Sequence, residues 1–405
     1  MSLVNFKPSR NLERVRPSGA NSVSEDVQRR RAAGQDVVDL SAGEPEFDSP
    51  RASLDAGILA LQQGGTHAAP NAGTLDLRTA AARRLSLLSA GRPVNADNVV
   101  ISNGAKQAVF NACFTLFSVG DEVLVPAPCC WSYCEILRLA RAKPITVPGD
   151  AEWSLKVGVD QLDAAANAQT KGIILSTPVN PTGAVYTRSE LKRIVGWAKQ
   201  RGFWIISDEL YRRLHYGSGP APSVLDLPDE LLERVVMITG VSQAYAMSGW
   251  SVGLALGPQP LVEWMAVLQS CTTGGPSRPA QCAATAAFTD DRVEADLDRM
   301  LSEFRARRDV VVHHFRGQLP GVEFVEPLGT YYFFFRVDGF FGAGINSATK
   351  FCERLLTEGG VALLAGAAFG DDRWVRLSYA TSGKMLLEGL ARISEFTKAL
   401  ATRGT

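Results

Sequence analysis

Histidine is scarce in this chain of 405 residues: the four are His67, His215, His313 and His314. They show no metal-site spacing with acidic partners, so no metal centre is expected. An excess of charge is lacking too. Lys+Arg and Asp+Glu are both 42, a net charge of zero, which leaves no electrostatic case for nucleic acid or an anionic membrane as partner. The densest basic cluster, Arg29-Arg30-Arg31, is expected on the solvated face of a helix. No run approaches the ~18 apolar residues of a membrane span. Met1 to Arg16 lacks an apolar core followed by a small-residue cleavage site. The seven cysteines (113, 129, 130, 134, 271, 282, 352) are odd in number and irregularly spaced. No paired zinc-type pattern appears among them, and a reduced, cytoplasmic protein is expected. Repeats and low-complexity tracts are absent as well.

What is present is a chain too long for one hydrophobic core, with 46% hydrophobic and 21% charged residues, enough for two domains. Asn21-Ser22 with Glu25 reads as a helix start, running to about Ala33. Val37–Leu40 reads as a strand, Ser41–Pro45 as a loop, and 51–63 and 75–88 as helices. A regular alternation follows. Strands are expected at 98–102, 122–126, 144–147, 172–177, 203–208, 235–239 and 252–256. Helices are expected at 104–116, 131–141, 159–166 and 189–201. Short Val- and Ile-rich strands spaced by helices imply an α/β sheet, mostly parallel and covered on both faces. Ligands in such sheets bind at the carboxyl ends of the strands. The loops after Ser102, Pro126, Thr177, Asp208 and Thr239 are therefore the functional candidates. A helix at 261–271 and one long helical region, 280–315, come next. The pattern then changes to strands (322–325, 331–336), a helix (347–358), strands (361–364, 374–378) and a last helix (384–402). This is a smaller α+β unit. The expected division is 49–285 for the large α/β domain, against 1–48 and 286–405 for the small one.

Several residues read as chemistry on their own terms. Gly104-Ala105 opens a helix, and such a turn presents N–H groups and the positive helix end to an anion; an ordinary strand-to-helix turn is the alternative. Asp208 ends the buried strand Trp204-Ile205-Ile206-Ser207. A carboxylate there needs a partner, which a ligand cation, a pyridinium or a protein donor supplies equally well. Arg376 lies in an apolar strand, and its planar fork suits a carboxylate. Asn180-Pro181 forces an extended or turn geometry.

Seven segments in order resemble the class I aminotransferases. They are Gly43-Glu44-Pro45, Asn103-Gly104-Ala105-Lys106-Gln107, Thr177-Pro178-Val179-Asn180-Pro181-Thr182-Gly183, Ser207-Asp208-Glu209-Leu210-Tyr211, the loop Gly240–Gly253, Gly366-Ala367-Ala368-Phe369-Gly370 and Val375-Arg376-Leu377-Ser378-Tyr379-Ala380. The resemblance spans nearly the whole chain. It implies PLP fold-type I, the aspartate-aminotransferase-like fold, and a homodimer with sites at the subunit interface. Carried over residue by residue, it makes Gly43 part of a substrate-covering loop and Ala105-Lys106 part of a phosphate cradle. Asn180 and Tyr211 become partners of the cofactor's phenolic oxygen, Asp208 of its pyridine nitrogen, and Arg376 of the substrate carboxylate.

The departures are concerted. After Ser242, where the family carries the lysine that binds pyridoxal phosphate (PLP) as a Schiff base, stands Gln243. After Gly249-Trp250, where it carries a phosphate-binding arginine, stands Ser251. Ala68 takes the place of a partner-subunit tyrosine. Cys130 takes that of the aromatic ring stacked on the pyridine, with Trp131 beside it. Glycines replace polar residues at Gly274-Gly275, and Arg278 is an addition. An amide is neither basic nor a good nucleophile, so ordinary transamination is not expected. Each lost charge-assisted phosphate contact costs about 1.5–3 kcal/mol, so any binding of PLP or pyridoxamine phosphate is expected to be weak and non-covalent. The expectation is a repurposed enzyme that takes a small amino-acid-like carboxylate on Arg376, with Gly43, Asn180 and Arg278 as further substrate contacts. Asp208, Tyr211, Gln243, His67 and Cys130 are its candidate reactive groups. Ala105, Lys106, Cys130, Trp131, Asn180, Asp208, Tyr211, Ser242 and Ser251 mark the vestigial cofactor site. Two alternatives stay open: residual PLP-type chemistry with Lys106 or another lysine standing in, and a non-catalytic binding protein.

Overall fold

The architecture is that of a computed structural model, which describes residues 8–9, 11–12, 15–16, 19–89, 91–342 and 344–403. Its centre is a seven-stranded sheet in the order β2-β8-β7-β6-β5-β3-β4. The strands are β2 (Val99–Asn103), β3 (Glu122–Ala127), β4 (Lys143–Pro148), β5 (Thr170–Ser176), β6 (Trp204–Asp208), β7 (Val235–Gly240) and β8 (Val252–Leu256). Strand β8 runs antiparallel to both β2 and β7. The remaining pairs are parallel. Val99–Ile101, Val123–Val125 and Ile173–Leu175 are almost wholly buried, as expected for strands covered on both faces.

The covering helices are α2 (Arg51–Gln62), α3 (Leu75–Leu88), α4 (Ala105–Leu116), α5 (Ser132–Leu139), α6 (Val159–Ala165), α7 (Arg188–Arg201), α8 (Gln259–Ser270) and α9 (Arg278–Thr289). Their ends follow local chemistry. The Thr187 hydroxyl accepts from Glu190 N while Glu190 accepts from Thr187 N, a reciprocal cap at the start of α7. Gly202 closes the same helix in the left-handed conformation, at φ 71°, where a side chain is disfavoured.

The smaller unit contains α1 (Gly19–Ala32), β1 (Val38–Asp39), α10 (Arg292–Gln318), β9 (Phe324–Val325), β10 (Tyr332–Arg336), α11 (Ala348–Arg354), β11 (Val361–Ala362), β12 (Leu364–Ala365), β13 (Trp374–Ser378) and α12 (Gly383–Arg403). β1 pairs in parallel with β11, and β12-β13-β10-β9 form an antiparallel sheet. Tyr331, Tyr332, Phe333, Phe334 and Phe335 are each 0–1% exposed. At about 1.5–3 kcal/mol for each fully buried large side chain, this run is a principal anchor of the unit.

Four expectations needed correction. The helical region 280–315 is two helices. The Asp290 carboxylate accepts from both the backbone N–H and the guanidinium of Arg292, which restarts the chain as α10 and holds that carboxyl down at about 2. The strand at 361–364 is also two, because Val361–Ala362 pairs with β1 and Leu364–Ala365 with β13. The helix at 347–358 loosens into a π-type turn over Leu355–Gly359. The first helix begins at Gly19, so Ser22 lies inside it and not at its cap; the side chains of residues 19–21 fall outside the description.

Candidate active site

One cavity of about 510 Å3 lies between the two units. It collects all five loops expected at the carboxyl edge of the sheet. Ala105 and Lys106 follow β2, Cys130 to Tyr133 follow β3, and Asn180 follows β5. Asp208 to Tyr211 follow β6, and Gln243 and Ser248 follow β7. The other wall is Ser41 to Glu44 with Tyr332, Phe369 and Arg376.

The turn before α4 depends on a close approach. A Cβ at Gly253 would lie 2.2 Å from Ala105 N, so only glycine lets β8 pass the start of the helix. Gly104 takes φ 82°, another glycine geometry. The first N–H groups of α4 therefore stand at the cavity, with exposed Lys106 beside them and its amine 5.9 Å from the Trp131 ring centre.

Asp208 ends β6. Its Oδ2 accepts from the Tyr133 hydroxyl at 2.7 Å and its Oδ1 from Leu210 N at 3.1 Å. Burial raises its pKa, and these two bonds only partly counter that. It forms no ion pair among the described residues. Tyr211 is pushed well above the ordinary phenol range by burial and by Tyr332, whose hydroxyl is 3.1 Å away. The Tyr211 phenol therefore keeps its proton at neutral pH.

Arg376 is 4% exposed. It donates from Nη1 to Asn180 Oδ1 at 3.1 Å and from Nη2 to the Ser41 carbonyl at 2.9 Å. Its guanidinium lies 4.0 Å from the Tyr332 ring centre, and its Nε has no partner. No acidic side chain pairs with it among the described residues. A buried cation with no counter-charge is costly, and this one lines the cavity.

Gln243 is bonded at both ends of its amide. Its Nε2 donates to the Gly43 carbonyl at 3.2 Å, and its Oε1 accepts a short hydrogen bond from the Tyr331 hydroxyl, which also lies 2.9 Å from the Gly43 carbonyl. Ser248 donates to Glu44 at 2.6 Å. The 41–45 loop is therefore tied to β7's loop at two points and to Arg376 at a third.

The structure brings Gly43, Ala105, Lys106, Cys130, Trp131, Asn180, Asp208, Tyr211, Gln243 and Arg376 to one cavity. Ser242, Ser251, Arg278 and His67 are not on its wall. Ser251, Arg278 and His67 are exposed, and Ser251 is held at φ 50° by the tight turn that follows Trp250. Within one chain, then, the expectations that Arg278 touches substrate and that Ser251 lines the pocket do not hold. Tyr133, Tyr331 and Tyr332 carry contacts that the sequence reading missed. Tyr133 lies three residues after Cys130, which the sequence had marked; nothing local marked the other two beyond an aromatic strand.

Pyridoxal phosphate can be tested against these residues. Asp208, free of any cation, suits a pyridinium, and the start of α4 suits a phosphate. The aldehyde end does not fit. Among the wall residues Lys106 is the one lysine, and it stands at the phosphate end. Gln243 has both ends of its amide committed to Tyr331 and Gly43. The residues therefore do not fit the group as a covalently held cofactor. No cluster of His, Cys, Asp and Glu among the described residues could hold a metal ion.

The fold is that of the PLP fold-type I enzymes, as in the aspartate aminotransferases. The Thermotoga maritima enzyme superposes with a TM-score of 0.89 at 34% identity, over 96% of this chain and 100% of that one. The Thermus thermophilus enzyme, solved with maleate, gives 0.90 at 32% identity over 96% and 99%. The aspartate aminotransferase of Geobacillus stearothermophilus is 35% identical over 98% of this chain and 100% of its own length. The chain belongs to the family described as aminotransferase class I and II, which matches residues 35–393. No helix among the described residues is long and apolar enough to cross a membrane.

Proposed function

We propose that this protein is a repurposed member of its family that acts without a PLP Schiff base on a small, amino-acid-like carboxylate. The single observation that carries this reading is the Gln243 network. A lysine there has no acceptor to offer the Tyr331 hydroxyl, so the site is built around an amide. Arg376 and Asp208 both line the cavity without an ion-pair partner among the described residues, and together they suit a zwitterionic ligand: its carboxylate sits on the guanidinium and its cationic nitrogen faces Asp208. Asp208 and Tyr211 are the groups available to move protons, and Gly43 and Asn180 complete the carboxylate end. Arg278 would add a contact only from a partner subunit.

A homodimer in the cytoplasm is part of the same reading. Supporting the dimer, α2 leaves Leu54, Ile58 and Leu61 exposed on one face, and α8 leaves Trp264 64% exposed; such faces mark contact surfaces. The pairing of β1 with β11 supports joining residues 1–48 to 286–405, with 49–285 as the large domain.

The test is spectroscopic. The full-length protein is mixed with PLP, its absorbance recorded, and the mixture reduced with borohydride and mapped. The expected result is no covalent label, together with stabilisation by maleate. A labelled Lys106 or any other lysine would overturn the reading in favour of retained PLP chemistry. Ligand stabilisation with no turnover of any amino acid or oxo acid would favour a binding protein.

A further inference from the structure

The Gln243 amide also bridges the cavity from one unit to the other. Gln243 stands in the loop after β7 of the central sheet, while Gly43 follows β1 and Tyr331 precedes β10, two strands of the smaller unit. Its Nε2 donates to the Gly43 carbonyl at 3.2 Å, and its Oε1 accepts from the Tyr331 hydroxyl. That phenol is fully buried. Burial holds it well above the ordinary phenol range, so it stays a donor. An amide offers a donor and an acceptor together, whereas a lysine ammonium offers donors only; the two-sided bridge needs this residue type. A second tie runs beside it, from Ser248 of the same loop to Glu44 at 2.6 Å. What the bridge holds down is the roof of the carboxylate site. The Ser41 carbonyl takes an N–H of Arg376 at 2.9 Å. A Cβ at Gly43 would lie 3.7 Å from the Tyr332 hydroxyl and 4.0 Å from Arg376 Nη2, ordinary contact distances, so the loop rests on the guanidinium.

We propose that Gln243 is a latch: with Tyr331 it fastens the 41–45 loop over Arg376, so the shut cleft is the resting form and a ligand enters only after the latch breaks. This rests on the carboxylate site proposed above and adds how that site is reached. Both bonds join protein to protein, so they favour the shut cleft whether or not a ligand is bound. An interaction kept equally in the empty and the filled forms cancels from the binding equilibrium. It acts instead on the opening step, and so on the rates of entry and exit.

Maleate is the probe, added to the full-length protein. Its binding is followed by stopped-flow tryptophan fluorescence, with Trp131 on the cavity wall as reporter, and by isothermal titration calorimetry. Small-angle X-ray scattering reads closure of the cleft. In the parent protein the observed binding rate should level off as maleate rises, because opening limits entry, and maleate should leave the scattering curve unchanged. Gln243→Ala removes two hydrogen bonds of the latch, so the plateau rate should rise roughly five- to hundred-fold while Kd stays within about threefold. Tyr331→Phe, which keeps the bond from Gln243 to Gly43, should fall between; both variants are checked for folding by circular dichroism. A plateau unchanged in both variants, or compaction of the parent by maleate, would overturn the latch. Weakened Kd in Gln243→Ala with an unmoved plateau would overturn it too, and make Gln243 a ligand contact. No maleate binding, or binding indifferent to Arg376→Ala, would instead sink the carboxylate reading beneath it.

Discussion

Arg376 is the residue whose removal has the most definite consequence. A guanidinium carries five N–H groups. Two of them reach Asn180 and Ser41, the Nε–H is enclosed without a partner, and the remaining two, one on each terminal nitrogen, are left for a ligand. A carboxylate taking two of these gains two charge-assisted hydrogen bonds at about 1.5–3 kcal/mol each. Arg376→Ala should therefore cost about 3–6 kcal/mol in carboxylate binding, roughly a hundred- to ten-thousand-fold in Kd. Arg376→Lys keeps a charge but loses the fork, and should fall between. The assay is isothermal titration calorimetry with maleate, with circular dichroism to confirm folding, because the side chain is 4% exposed and its loss also leaves Asn180 Oδ1 and the Ser41 carbonyl without a donor. A folded Arg376→Ala protein that binds maleate within about threefold of the parent would refute the assignment of the carboxylate to this residue.

Three further outcomes are expected. Gln243→Lys combined with Ser251→Arg should take up PLP with a visible imine absorbance and a borohydride-stable label at position 243; the pair should also melt earlier, because Tyr331 loses one of its two acceptors, keeping only the Gly43 carbonyl, and an arginine replaces a serine at φ 50°, and an unchanged spectrum would count against the vestigial-site reading. Burial raises the pKa of Asp208 above its ordinary 3.8, so ionising it costs stability as pH climbs from 3.8 through the folded value. Asp208→Asn should therefore raise the melting temperature at pH 7 and lose most of that advantage near pH 4, and an equal gain at both pH values would show that the charge is not the source. Gly57→Ala should lower the denaturant midpoint by the equivalent of about 1–3 kcal/mol despite better helix propensity, since its Cβ would sit 2.5 Å from the Trp250 ring; a rise in midpoint would mean the ring yields freely.

Elements were legible wherever local pattern and burial agree. The helix at 75–88 matches its sequence limits, and the alternation from 98 to 256 became one sheet, because covered strands and amphipathic helices each declare their period locally. The five loops expected at the carboxyl edge all reached the cavity for the same reason: a parallel sheet places its loops by topology. Boundaries that depend on a partner strand were not legible. Nothing in Val361–Leu364 says that its halves serve two different sheets, and only pairing with β1 and β13 divides it. The break at Asp290 needed a side chain bonding its own backbone, a signal too short to outweigh helical periodicity on either side.

The site divides in the same way. The chain by itself placed an amide at position 243, a carboxylate at the end of a buried strand and an arginine in an apolar one, because residue type and position along an element are local facts. Only the tertiary structure decided what these groups meet. It set the Gln243 amide between Tyr331 and Gly43, residues 88 and 200 positions away in the chain. It left Arg376 and Asp208 without protein counter-charges, and it turned Ser251 and Arg278 away from the cavity. Hydrogen bonds and counter-charges are satisfied across space, between segments that share no local pattern.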